Sequence, residues 1–306
     1  MPVFESQEWG AELEELDERR ERAHQMGGAE SLARARERGM LNARERVDRL
    51  VDKESFKEFG ALAGKGRYGS WGELESFTPS THVLGIGRIS GRKTVVISDD
   101  FSIRGGSSEA AVAEKWIYAD RYAYEYRLPM VRIVHSSGGS VNLPMQMGYT
   151  KIPGYALLPS VPLLGLAPVV GIVMAAAAGL GAIRACTAHF SIMVRGQGQV
   201  FAGGPPVVRQ ALGITVDKED LGGWGVHKAN GVVNNGADSE EEALEQARCF
   251  LSYLPANVYQ QAPRVAPDDP PASLQAWLND AIPRDRRKVF DPKRILKALF
   301  DADSIF

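Results

Sequence analysis

Two glycine-rich turns, HSSGGSVNLP at 135–144 and AAAAGLGAIR at 175–184, constrain this 306-residue chain more than any other feature. Each follows a short apolar run with strand character, VRIV at 131–134 and PVVGIVM at 168–174. Each therefore places bare backbone N–H groups at the end of a strand, and the second also opens a helix. Two such donors converging on one point make an oxyanion hole, the device that stabilises a thioester enolate.

An absence accompanies the turns. Between Tyr126 and Val216 there is no Asp or Glu, in a chain that carries 38 of them. The same window holds Arg127, Arg132, Lys151, Arg184, Arg195 and Arg209, with His135 and His189. A surface that meets phosphates, a carboxylate or a developing oxyanion gains from such a bias. A buried apolar middle with no use for acids explains the same window equally well.

The length permits about two domains by the rough 150-residue rule. A net charge of −2 does not point to a nucleic-acid ligand. Two cysteines, Cys186 and Cys249, are too few for a disulfide framework or an all-cysteine zinc site, and no metal is expected. The opening is polar and charge-rich. The longest apolar stretch, 156–182, is interrupted by three prolines and four glycines, so no membrane span is expected. A soluble, cytoplasmic protein is the expectation.

Along the chain, residues 10–50 are helix-favouring and charged, divided by Gly27 and Gly28 into two segments. Leu32, Ala35, Met40 or Leu41, Val47 and Leu50 supply an apolar stripe for packing. THVLGIGRIS and KTVVISDD around Ser90-Gly91 predict a β-hairpin. Ser107 and Ser108 cap a predicted helix, SEAAVAEKWIYADRYAYEYR, that delivers the chain to MVRIV. Pro205-Pro206 opens another helix, and DSEEEALEQARCFLSYL is an acid-first helix. Residues 255–290 read as proline-rich and irregular, before a final helix PKRILKALF. The pattern is α/β, with β-β-α units instead of a simple doubly wound sheet. No GxGxxG, Walker A, HExxH or GxSxG motif is present. ARERVDRLVDKESFKE at 43–58 is echoed by PKRILKALFDADSIF at 292–306, as if a second copy of the fold began there.

From about Arg34 onward the chain resembles the N-terminal half of the carboxyltransferase β subunit of biotin-dependent acyl-CoA carboxylases, of the propionyl- and methylcrotonyl-CoA type. The resemblance rests on RARERGMLNARERVDRLVD, on GSSEAAVAEKWIYADRYAYEYRLPMVRIVHSSGG and on PVVGIVMAAAAGLGA. Its most specific stretch is FSIMVRGQGQVFAGGPPVVRQALG followed by DKEDLGGWGVH. It implies a crotonase-like (ClpP/crotonase) fold with a helical arm over 1–51, an acyl-CoA domain over 52–290, and at 291–306 a C-terminal helix or the start of a second domain. It also implies transfer of a carboxyl group from carboxybiotin to an acyl-CoA, through an enolate held by backbone amides. Biotin would arrive on a partner carrier, from a biotin carboxylase/biotin carrier subunit. A second carboxyltransferase domain or chain would complete the site within a homo- or hetero-oligomer. Carried over by position, the amide donors are Gly139 or Ser140 in the first turn and Gly179 or Leu180 in the second. Ser137, Gly138, Ala178 and Arg184 would contact the coenzyme A thioester. The chain departs from the family pattern in an extra serine in the first turn, and in Ala175 and Leu180 where glycine is usual. Two other readings stand beside this one: a crotonase-type acyl-CoA decarboxylase or hydratase, and a non-catalytic scaffold half of a carboxylase complex.

Overall fold

The computed structural model describes residues 9–107, 112, 114–139, 159–264, 275–300 and 305. The chain divides into two compact units, Met1–Gln261 and Ala262–Phe306. In the first, three helices open the chain: α1 (Gly10–His24), α2 (Ala29–Glu37) and α3 (Ala43–Leu50). Among the described residues the arm thus has three helices where two segments were expected. Gly39, at φ +70°, interrupts the second segment. Asn42 then restarts it with a capping box, its side chain accepting from the amides of Arg44 and Glu45.

Short strands follow, β1 (Lys57–Glu58), β2 (Gly64–Tyr68) and β3 (Leu74–Pro79). The expected hairpin is present as β4 (His82–Ile89) and β5 (Arg92–Asp99), paired antiparallel from His82↔Asp99 to Ile89↔Arg92. Its two-residue turn has Ser90 at φ 50° and Gly91 at φ 78°, the positive-φ pair that a type I′ turn requires. Next come α4 (Glu114–Tyr126), β6 (Met130–Ser136), α5 (Ser160–Leu164), β7 (Val169–Ala178), α6 (Leu180–Cys186), β8 (Phe190–Val194) and β9 (Gln199–Phe201). The unit finishes with α7 (Pro205–Leu212), α8 (Lys218–Gly222), α9 (Trp224–His227), β10 (Asn235–Ala237) and α10 (Glu240–Ser252).

The eight-stranded sheet has the order β1-β4-β5-β6-β7-β8-β10, with β9 added beside the C-terminal end of β7. The β1, β4 and β5 pairings are antiparallel, and from β5 to β10 all pairings are parallel. One face carries Val96, Val131, Ile133, Ile172 and Ile192 against α3 and α10. On the other, Val95, Ile97 and Met130 meet α4, and Val134, Val173 and Met193 meet α6. Covering both faces is what a parallel sheet demands. The runs VRIV and VVGIVM are buried throughout for that reason. Among the described residues no helix is long and apolar enough to cross a membrane.

The second unit holds a short 3-10 helix, Ala276–Asp280, and α11 (Pro292–Leu299). Asp291 caps α11 by accepting from the Lys293 and Arg294 amides, and the Arg294 guanidinium stands 4.3 Å from the Trp277 ring centre.

Candidate active site

The parallel strands β6 and β7 are neighbours, so their C-terminal turns leave the sheet side by side. Their register runs from Met130↔Val169 to Ser136↔Ala177, with an irregularity between Val134 and Ser136. Beyond it the two glycine turns touch. Gly138 has φ +84°, and a Cβ there would stand 3.0 Å from the Ala178 carbonyl oxygen. Gly179 has φ +53°, and a Cβ there would lie 3.9 Å from the Gly138 Cα. Gly181 approaches Ser136 so closely that a Cβ would be 2.8 Å from the Ser136 Cβ. Only glycine allows both the positive φ values and this spacing.

Hydrogen bonds sort the candidate amides. The Ser137 N–H donates to the Gly105 carbonyl at 2.8 Å, and the Gly138 N–H to Ser136 Oγ at 3.2 Å. The Gly179 N–H donates to the Phe201 carbonyl at 3.1 Å, continuing the β7–β9 pairing. Of the two candidates in the second turn, the Leu180 N–H is instead the first amide of α6, one of those an α-helix leaves without an internal partner. Gly139, in the first turn, lies exposed. Ser140 and Lys151 fall outside the described residues.

Arg184, which the family resemblance made a contact of the coenzyme A thioester, reads as a surface cation from its acid-free stretch alone. The side chain is instead 5% exposed and donates from Nη1 to Asp99 Oδ1 at 2.8 Å. A guanidinium cannot be buried at tolerable cost without a counter-charge, and here the acid comes from outside the window, from the end of β5. Arg132 behaves alike: it is 1% exposed and bonds Asp120 of α4 at 2.9 Å. His227 is also internal, with Nε2 2.9 Å from the Val200 carbonyl oxygen.

The segment Asp99–Ser107 carries more of the site than its sequence suggested. Gly106, at φ +62°, lies under the first turn, where a Cβ would come within 2.3 Å of the His135 carbonyl oxygen. The Ser136 hydroxyl donates to the Gly106 carbonyl at 2.8 Å. The signal was there to find: two acids ending an apolar strand, then a glycine pair, in SDDFSIRGGS.

A cavity of about 290 Å³ opens between the arm and this segment, lined by Arg34, Arg38, Met40, Phe101 and His135 among others. His135 stacks on Phe101 with ring centres 4.0 Å apart. Arginines at the rim and an aromatic-apolar lining suit a ligand that is anionic at one end and apolar or flat elsewhere. Among the described residues, no cluster of three or more His, Cys, Asp or Glu side chains is placed to hold a metal ion.

Burial sets the protonation of the site's histidines. Loss of solvation holds His82 well below the ordinary 6.5, helped by the charges of Arg184 and Lys115. His135 is lowered in the same way, by burial first and then by Arg46. The unfolded chain takes up these two protons near 6.5 and the folded protein does not. Stability is therefore fully present above that pH and is lost as pH falls below it. The expected loss is about 1.4 kcal/mol per pH unit for each imidazole. Asp99 and Asp100, raised by burial, act in the opposite sense, because the folded protein protonates them above the 3.8 of the unfolded chain. Chemical denaturation between pH 7.5 and 5.5 checks this, and replacing His82 by Gln should about halve the slope, since one of two linked protons is then removed.

Comparison with known proteins gives the family. The family described as "Carboxyl transferase domain" matches residues 34–306. The carboxyltransferase subunit of propionyl-CoA carboxylase from Haloferax mediterranei is 31% identical over 298 residues, covering 96% of this chain and 57% of that protein. The methylmalonyl-CoA decarboxylase subunit alpha of Veillonella parvula is 29% identical over 293 residues, covering 94% and 57%. The transcarboxylase 12S structure with hydrolysed methylmalonyl-coenzyme A bound superposes with a TM-score of 0.81 at 27% identity, over 98% of this chain and 59% of that one. The chain thus spans about half the length of the curated relatives it matches.

Proposed function

The chain belongs to the carboxyl transferase domain family, with its crotonase-like fold, and we propose that it is the acyl-CoA-binding half of a biotin-dependent carboxyltransferase. The observation that carries this reading is the contact between the two glycine turns, with Gly138 and Gly179 back to back. The thioester oxygen would accept from the Leu180 N–H, at the positive end of α6, and from Gly139 or Ser140 in the first turn. Ser137, Gly138 and Ala178 would form the wall against the thioester. As the α C–H bond breaks, negative charge gathers on that oxygen, and the two amides stabilise it without reorganising. The coenzyme A body would occupy the cavity beside His135 and Phe101, its phosphates toward Arg34 and Arg38.

Bound carboxybiotin would supply the carboxyl group and, through its ureido group, a base for the α proton. An anionic co-substrate would meet no carboxylate from the stretch between Tyr126 and Val216, and Asp99, which enters from β5, is paired with the Arg184 guanidinium. The carboxybiotin would come on a carrier, and a second domain or chain would complete the site. The transcarboxylase 12S relative assembles as a hexamer, and an oligomer is proposed here too. A second reading, decarboxylation of a malonyl-type CoA, is favoured by the likeness to the Veillonella protein and needs the same two amides.

Calorimetric titration with acetyl-, propionyl- and 3-methylcrotonyl-CoA against free CoA tests the proposal. Affinity is expected to rise with the acyl group, and one equal affinity across the series would overturn it. Carboxylation should appear only when a chain bearing the biotin site is added. Release of carbon dioxide from methylmalonyl-CoA by this chain alone would favour decarboxylation instead.

A further inference from the structure

Asp99 ends β5, is fully buried, and lies on neither glycine turn. Its two carboxylate oxygens nevertheless reach both. Oδ2 accepts the His135 N–H at 3.3 Å, just before the first turn leaves β6. Oδ1 accepts Arg184 Nη1 at 2.8 Å, from the helix whose first residue is Leu180.

His82, opposite Asp99 on β4, closes the arrangement, with Nε2 3.4 Å from both Asp99 Oδ1 and Arg184 Nη1. Its other nitrogen is 3.2 Å from Thr81 Oγ1, whose single proton goes to the Ser107 carbonyl at 3.1 Å. Nδ1 is therefore the donor to Thr81 and Nε2 the acceptor toward Arg184. A neutral imidazole in this tautomer braces the guanidinium and takes no charge from Asp99. Trp116 covers the other side, with its ring centre 5.7 Å from the Arg184 Cζ.

We propose that Asp99 is a positioning residue that fixes the spacing of the two glycine turns, holding the His135 amide on one carboxylate oxygen and the Arg184 guanidinium on the other. A carboxylate suits this task because it offers acceptors in two directions, while both partners only donate. The Arg184 bond, at 2.8 Å, has the length of a strong charge-assisted bond, and the amide bond, at 3.3 Å, is the weaker arm. With both in a dry interior, the separation of the turns is set from beneath. The catalytic consequence of this clamp rests on the carboxyltransferase reading above; the clamp itself does not.

Asp99→Asn leaves one acceptor facing two donors, so one anchor is lost whichever way the amide turns. It also strips Arg184 of its counter-charge. Because that variant can fail to fold, the double variant Asp99→Leu/Arg184→Met removes both anchors with no buried charge left over. Hydrogen–deuterium exchange on the full chain is the first readout. In the double variant, exchange is expected to accelerate about tenfold in 131–139 and 179–187 together and to stay unchanged in α10. Wild-type exchange in either turn, or acceleration spread evenly over the whole sheet, would overturn the proposal.

Calorimetry with propionyl-CoA and free CoA is the second readout. Because Asp99 also lines the cavity assigned to the coenzyme A body, the expected sign of displaced turns is a loss of acyl-CoA affinity about tenfold greater than the loss for free CoA. Equal loss for both ligands would point to a merely structural residue and would also overturn it. If the wild-type chain itself does not distinguish propionyl-CoA from CoA, the carboxyltransferase reading fails, while the exchange result still decides the clamp.

Discussion

Replacing Arg46 by methionine is expected to cost about 3–5 kcal/mol of stability, because it strands a buried carboxylate. Arg46 on α3 and Glu240, the first residue of α10, are each 2% exposed. They form a two-pronged pair, Nε to Oε2 at 2.8 Å and Nη2 to Oε1 at 2.6 Å. The two helices lie on the same face of the sheet, and the paired residues are 194 positions apart in sequence. Ser239 caps α10 by accepting the Glu242 N–H, so Glu240 also stands at the positive end of its helix. Urea denaturation of Arg46→Met, Glu240→Leu and the double variant measures the effect. The double variant should recover most of the loss, since no unpaired charge remains. A full loss in the double variant would mean that packing, and not the stranded charge, is responsible. Arg46 also lines the cavity beside His135, so the single variant should weaken coenzyme A binding as well.

Gly138→Ala is expected to abolish the distinction between acyl-CoA and CoA while leaving the protein folded. The backbone there has φ +84°, and the new methyl would press on the Ala178 carbonyl oxygen at 3.0 Å. Strain of this kind costs about 1–3 kcal/mol, a loss that a domain of this size can survive. The larger effect is geometric, since the methyl separates the two turns by which the thioester oxygen would be held. Loss of one oxyanion donor lowers turnover by about 10²–10³, and that is the expected decrease once the partner half is supplied. Thermal melting together with acyl-CoA titration checks both parts. Unchanged acyl-CoA affinity in a folded Gly138→Ala protein would remove the oxyanion reading from this pair of turns.

Much of this was legible in the chain itself. The hairpin around Ser90-Gly91, the strands β6 and β7, the Pro205-Pro206 helix start and the acid-first α10 all follow from local chemistry. Turn residues, caps and apolar periodicity act over a few residues, so a window of sequence contains their cause. The third arm helix was missed because the Gly39 break and the Asn42 restart lie within one continuous charged segment. The partner of Arg184 was hidden for a related reason. The stretch around it contains no acid, but Asp99 reaches it from 85 residues away.

The sequence by itself determined the two strand-to-glycine turns, their lack of nearby acids and the α/β alternation, all properties of contiguous residues. It could not decide whether the turns meet, which of their amides the scaffold already engages, or where the buried arginines find their counter-charges. Those were decided by the parallel pairing of β6 with β7 and by the end of β5 beside them. Hydrogen-bond partners and desolvated charges are chosen by three-dimensional proximity, and a strand order of β5-β6-β7 brings together residues that the chain keeps far apart.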